Sequence, residues 1–168
     1  MWPPTHTVVA ATVAEALFPG NRTALLVLTV ASTWPDFPFL AQVGLNIKDG
    51  KSVAEYNRPW LLLLNNAAHS LPVWLAVFAT SRVLPVIPAV VSLALWGWLS
   101  HILIDVLTHG RGKKFKGDPD LWPWRHTLGS VMGIYTYREP GCYKPKVPEV
   151  IISLTSVVLF VLLKKHIF

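Results

Sequence analysis

The chain has one cysteine, Cys142, so no internal disulfide staples it and its cysteine usage implies no oxidising compartment. Charged residues are scarce, at 14% of 168, while hydrophobic residues reach 52%. With a mean hydropathy of +0.45 this balance excludes an ordinary water-facing domain and predicts a bilayer protein. The N-terminus, Met-Trp-Pro-Pro-Thr-His, has no basic run ahead of an apolar one, so it is not read as a signal peptide. There is no internal repeat, no low-complexity tract and no linker, and residues 1–168 are read as one domain. Long uninterrupted helices are also not expected, because 14 prolines and 8 tryptophans are spread along the chain. The net charge of +6 is compatible with nucleic acid, but in so apolar a chain it is better read as basic loops on cytoplasmic headgroups, with no nucleic-acid partner.

What is present is a set of apolar stretches at helical length. Thr5 to Phe18 is one, and Phe18-Pro-Gly-Asn-Arg22 breaks it. Thr23 to Trp34 is a second, expected to stop at Pro35. At about 1.5 Å per residue each covers roughly 20 Å, short of the ~30 Å core of a bilayer, so they are expected to form a short hairpin that enters and returns. Gln42 to Arg58 is polar and reads as a loop. Trp60 to Thr80 reads as a span interrupted by Asn65, Asn66 and His69, and Ser81-Arg82 as a tight turn. Val83 to Thr108 is the next span, Gly110 to Pro148 a long basic loop, and Val147 to Leu163 a last apolar span. The fold class expected is therefore all-α: an integral membrane helical bundle with a short N-terminal hairpin and about three longer hydrophobic helices.

Within these apolar stretches a few residues carry chemistry. His101, Asp105 and His109 are spaced i, i+4, i+8 in Trp-Leu-Ser-His-Ile-Leu-Ile-Asp-Val-Leu-Thr-His, which puts two imidazoles and a carboxylate on one helix face. Ionisable groups in apolar surroundings cost several kcal/mol (~2–7) unless bound. The choice is between a divalent metal and core histidines hydrogen-bonded to a local Asp. The hairpin turn brings His6, at the start of the first stretch, back to Asp36, at the end of the second. His69 falls at a similar depth in its own span. Five or six ligand-type residues, His6, Asp36, His69, His101, Asp105 and the end-of-helix His109, thus gather near one face, and this coincidence favours metal over scattered core histidines. His69, His101 and Asp105 are the candidate catalytic set. His and Asp donors suit zinc, and also manganese or iron. His126 is read as a loop residue, His166 as a tail residue, and Arg58, Lys113 and Arg125 as candidate anion contacts.

The ordered elements His6, Pro35-Asp36, His69-Ser70, Ser100-His101-Ile-Leu-Ile-Asp105 and Leu121-Trp-Pro123 resemble the membrane-bound metal-dependent hydrolases related to the LexA-regulated inner-membrane proteins of bacteria. That family is itself similar in motif layout to zinc-dependent phospholipase C. The resemblance covers roughly residues 6 to 124. It implies hydrolysis of a phosphoester, with a membrane lipid as partner, in a bacterial inner membrane and with the site near the cytoplasmic face. Two positions depart from the pattern: Pro38 stands where a second Asp is often found, and Asn65-Asn66-Ala67-Ala68 replaces a basic residue and Gly. A metal or proton transporter, or a non-catalytic scaffold with a structural metal, are the other classes such a chain fits.

Charge counting sets an orientation. If Arg82 marks a turn, the 42–58 and 110–148 loops share a side and hold eleven Lys and Arg residues, against Arg22, Arg82, Lys164 and Lys165 opposite. The positive-inside rule places both loops in the cytoplasm. Cysteines introduced at Lys51 and Lys113 are expected to react with a membrane-impermeant thiol reagent only after the cytoplasmic side is opened. Labelling from the outer side of intact cells reverses the topology.

Overall fold

The computed structural model describes residues 3–51, 58–83, 88–110, 135–136 and 147–165. They form an all-α bundle: α1 (Pro3–Leu17), α2 (Arg22–Thr33), a 3-10 turn (Trp34–Asp36), α3 (Phe37–Lys48), α4 (Pro59–Ala68), α5 (Leu71–Val83), α6 (Ala89–Thr108) and α7 (Val147–Lys165). The only other regular pairing among the described residues is a two-residue parallel bridge, His109–Gly110 to Tyr135–Thr136. Arg22–Lys48 and Ala89–Val106 are long and apolar enough to cross a membrane, and the α4–α5 pair, bent by 66°, makes a third if it counts as one span.

The α1–α2 hairpin closes through Gly20, whose φ of +72° a residue with a Cβ rarely adopts, and Asn21, whose side chain accepts from Ala24 N–H and caps α2. Helix α2 ends at Thr33, just ahead of Pro35 as expected, and completes the short N-terminal hairpin. Pro35 occupies the start of the 3-10 turn and Pro38 the first turn of α3, where a missing N–H costs nothing, so the chain runs on as a 27-residue stretch to Lys48. Three expectations need correction. The polar segment after Gln42 is helix as far as Lys48, because Gln42 and Asn46, one turn apart, bond to each other (2.6 Å) in the buried face between α3 and α4. The span starting at Trp60 is two helices. His69 ends α4, and Ser70 Oγ accepts from Val73 N–H to start α5 with Pro72 in its first turn. Helix α5 runs through Ser81 and Arg82 to Val83, so the tight turn expected at Ser81-Arg82 is helix instead.

Helices α2 and α6 pack in parallel along Leu28, Ala31 and Ser32 against Gly97 and His101. A Cβ on Gly97 would lie 2.8 Å from both Ala31 Cβ and the Leu28 carbonyl oxygen, so only glycine permits this approach. In a bilayer, where burying apolar surface gives no drive between helices, small residues at the contact let dispersion hold them. On the other side of α6, Trp74, Leu95, Trp98 and Ile102 form the apolar core. Trp74 Nε1–H donates to the Leu95 carbonyl (2.8 Å) and Trp98 Nε1–H to the Ala68 carbonyl at the broken end of α4. Helix α7 runs along α1, joined by Ser153–Thr5, Thr12–Ser156 and a Lys164–Glu15 ion pair of 2.7 Å. Lys164 is thus neutralised within the protein, which removes part of its weight in the charge count.

Polarity is inverted relative to a soluble fold. Leu26, Leu64, Leu75, Val90 and Leu154 are exposed, while Glu15, Gln42, Asn46, Asn65, His6 and His101 are buried. This is the distribution a lipid solvent selects. Replacing Gly97 by Leu is expected to push α2 from α6 and lower stability by about 1–3 kcal/mol. A fall in the melting temperature of the detergent-solubilised protein reads it out; an unchanged melting temperature would refute the close-packing account.

Candidate metal centre

Five ionisable residues meet where α1, α2, the 3-10 turn, the α4–α5 break and α6 come together. Helix α1 brings His6, fully buried near its start. Asp36 closes the 3-10 turn. His69 is the residue at the break. His101 and Asp105 lie on one face of α6. Ligand atoms of His6, Asp36 and His101 lie within 4.8 Å of one another, as do those of His69, His101 and Asp105. The structure therefore brings together His6, Asp36, His69, His101 and Asp105. His109 takes part in the bridge to Tyr135, and its side chain lies outside the described set, as do His126, Lys113, Arg125 and His166. Arg58 is not beside the cluster: it binds Asp49 and Asn46 at the start of α4, the opposite end from His69.

Two hydrogen bonds fix what the imidazoles can do. His101 Nδ1–H donates to the Ser32 carbonyl (2.6 Å), and His69 Nδ1–H donates to the Asn65 carbonyl (2.8 Å). A carbonyl only accepts, so each Nδ1 carries the proton and, in a neutral ring, each Nε2 presents a lone pair. Those nitrogens lie close to carboxylates: His101 Nε2 is 3.1 Å and His69 Nε2 3.6 Å from Asp105 Oδ2, and His69 Nε2 is 3.7 Å from Asp36 Oδ1. His6 Nε2 is 3.2 Å from Asp105 Oδ1. Lone pairs gathered this close to carboxylate oxygens repel unless a cation lies among them.

That cation is either protons on the rings or a metal ion, and three observations bear on the choice. Charge-assisted hydrogen bonds are typically about 2.7–2.9 Å, and these separations are all longer. Donors about 2.1 Å from a tetrahedral ion stand roughly 3.4 Å apart, in the middle of the observed range. Neither ring nitrogen of His6, nor His101 Nε2, has a hydrogen-bond partner among the described residues, although each Nε2 lies close to Asp105: the atoms are near but not aimed at one another, as ligands of a common centre are. Finally, the His6 and His101 rings stack with centroids 3.9 Å apart and planes 22° from parallel. Two imidazolium charges at about 4 Å would repel by roughly 4 kcal/mol at an effective dielectric constant near 20. One divalent ion balances two carboxylates with every ring neutral, so the donor set fits a metal ion.

Sequence reasoning did not find the two orienting carbonyls, Ser32 and Asn65. A backbone oxygen has no residue signature. The available signal was the run of small residues in α2, which marks where another helix approaches closely enough to use one.

No protein-family model matches the chain, and neither the curated proteins nor the solved structures compared with it give a match. The functional reading therefore rests on the geometry of the cluster and on the sequence motifs.

Purified protein is expected to retain about one divalent ion per chain by elemental analysis. Asp105→Asn and His101→Ala should each weaken binding by at least about tenfold, since even the partners that orient ligands are worth ~10–100-fold. Asp49→Asn, at the far end of the α3–α4 hairpin, should leave metal content unchanged. Equal metal loss in all three variants would remove the assignment.

Proposed function

We propose that the chain is a membrane-embedded metal-dependent hydrolase that cleaves a phosphoester in a lipid headgroup, with zinc as the metal, in a bacterial inner membrane and with the site towards the cytoplasmic face. One observation carries the reading: the Nε2 lone pairs of His69 and His101, locked in place by backbone carbonyls, converge with two carboxylates in a buried, non-aqueous setting. Mixed His and Asp ligation suits zinc. The ordered motifs resembling membrane-bound hydrolases supply the reaction type, and the candidate spans supply the lipid.

The five residues divide by access. The side chains of His6 and His101 are fully buried, and that of Asp105 is nearly so, making a closed floor. His69 and Asp36 each keep 11% side-chain exposure, so a substrate approaches from their side. His6, His69, His101 and Asp105 would hold the ion, and the chemistry it would supply is a water made acidic enough to act as a nucleophile near neutral pH. Asp36 Oδ2 has no hydrogen-bond partner among the described residues and would accept the proton of the attacking water. As the water oxygen bonded to phosphorus and the phosphorus–oxygen bond to the leaving alcohol broke, Asp36 would return that proton to the leaving oxygen. His69, held by the Asn65 carbonyl, keeps the open side of the site in register.

Reconstituted protein is expected to release a soluble phosphoryl product or diacylglycerol from phospholipid vesicles. His101→Ala or Asp105→Ala should lower turnover at least about a hundredfold while leaving membrane insertion intact. Chelator should do the same, with recovery on adding zinc or manganese. Turnover that survives both substitutions and chelation would separate catalysis from the metal. Metal binding without hydrolysis of any lipid or soluble phosphoester would transfer the protein to the scaffold or transport class.

A further inference from the structure

Trp98 stands on α6 ahead of His101, about one helical turn away. It is buried in the apolar core with Trp74, Leu95 and Ile102. Packing of that core would be served by any large ring. Two further contacts set Trp98 apart, and each reaches one of the two interrupted segments that carry cluster residues.

The first is the hydrogen bond from the indole Nε1–H to the Ala68 carbonyl. The helical partner of that carbonyl would be the N–H of residue 72, which is a proline and has none. The Ala68 carbonyl and the His69 N–H belong to one rigid peptide plane. Anchoring the oxygen therefore fixes the N–H, which donates to the Asn65 carbonyl (3.1 Å), and with it the point from which the His69 ring starts. The second contact is with Trp34. Its ring meets that of Trp98 edge to face, with centroids 5.5 Å apart and planes at 77°. Trp34 opens the 3-10 turn, and its carbonyl accepts the Phe37 N–H that closes the turn around Asp36.

Trp74 is the internal comparison. Its indole also donates to a backbone oxygen, the Leu95 carbonyl (2.8 Å), in the same core. Leu95 lies inside unbroken α6, so its carbonyl keeps a helical partner four residues on without Trp74. The two tryptophans are alike in burial and bonding and differ in what they hold.

We infer that Trp98 is the positioning residue of the metal centre: one indole sets Asp36 and His69, the less buried pair, against His101 and Asp105 on its own helix. The inference rests on reading the cluster as a metal centre. An indole N–H offers an ion no lone pair, so Trp98 acts only through the residues it holds.

The test compares Trp98→Phe with Trp74→Phe in the full-length protein in detergent. Each keeps a large ring in the same core and loses one indole N–H, so a general loosening affects both alike. Histidine side-chain NMR on metal-free protein is the first readout. Trp98→Phe is expected to shift or broaden away the His69 Nδ1–H signal. It should leave that of His101, which sits on unbroken α6 and is held by the Ser32 carbonyl. Trp74→Phe should move neither. Zinc affinity, by competition with a chromogenic chelator, is the second readout. Trp98→Phe should weaken it at least about tenfold, the usual effect of losing a group that orients a ligand, and Trp74→Phe should leave it unchanged. If Trp98→Phe does not insert, Trp34→Ala takes away the ring that Trp98 meets and must move the same His69 signal. Trp96→Ala, on the exposed side of α6, must not. An unmoved His69 signal or zinc affinity in Trp98→Phe, or equal effects of Trp98→Phe and Trp74→Phe, overturns the inference. Metal content separates the two ideas. A His69 signal that moves in a protein holding no metal keeps the positioning role and sinks the metal centre. Bound metal in the wild type, with signal and affinity unchanged in Trp98→Phe, does the reverse.

Discussion

The hydrogen bond from His101 Nδ1–H to the Ser32 carbonyl joins the packing of the bundle to its chemistry. It needs α2 and α6 at a separation that only Gly97 allows. It fixes the ring's tautomer, and with it the direction of the Nε2 lone pair. It also holds the end of α2 in place, so Asp36, one turn further on, arrives opposite the same ring. Ser32 Oγ reaches the His6 carbonyl on the other side (3.4 Å), which sets α1 against the same point. One residue of α2 thus positions three helices around the cluster. In a lipid setting this matters more than in water, since an imidazole without a partner at that depth has no solvent to turn to.

The same logic orders the rest of the interior. Gln42, Asn46 and Asn65 are buried between α3 and α4, while Phe37, Leu40, Ile47, Trp60, Leu63 and Leu64 are exposed on the outside of that hairpin. Polar side chains here do what apolar ones do in a soluble core: they hold two helices together because the surroundings cannot satisfy them. Arg58 with Asp49 and Asn46 finishes that seam at its outer end, and His69 with Asp36 finishes it at the His/Asp cluster. The Glu15–Lys164 pair plays the equivalent part between α1 and α7.

Some of this was legible from residues alone, and the reason lies in what each signal physically is. Helical spacing puts His101 and Asp105 on one face, and they lie 3.1 Å apart across one turn. The Pro19-Gly20 turn implies that the chain doubles back, and His6 and Ser32 are neighbours for that reason. Pro35 marks the end of α2 as expected, and because its own N–H is not used at the start of a 3-10 turn the chain continues from there into α3. Gln42 and Asn46 mislead because polarity suggests exposure, although their i, i+4 spacing is itself helical and suits a buried seam. The break after His69 is written in Ser70-Leu71-Pro72, a helix start placed inside an apolar run. The orienting carbonyls cannot be read at all, since every residue has one and only the fold decides which a ring can reach.

That last point explains where the five residues come from. His6, His101 and Asp105 stand on uninterrupted helices whose positions are set by packing. Asp36 and His69 stand at interruptions, the 3-10 turn and the α4–α5 break. Interrupted backbone is tolerated at membrane depth only where its freed polar groups find partners inside the protein. The end of α4 shows how this is met. The Asn65 carbonyl accepts both the backbone N–H of His69 (3.1 Å) and its ring Nδ1–H, using the two lone pairs an oxygen offers. The Ala68 carbonyl would look four residues on for its helical partner, and finds Pro72, which has no N–H. Trp98 Nε1–H takes that place from α6. One break therefore orients a ring of the cluster and, through its orphaned carbonyl, ties itself to the helix that carries His101 and Asp105. The two interrupted residues are also the more accessible ones. Rigid helices give the cluster its closed floor, and the broken ones give it its less buried edge.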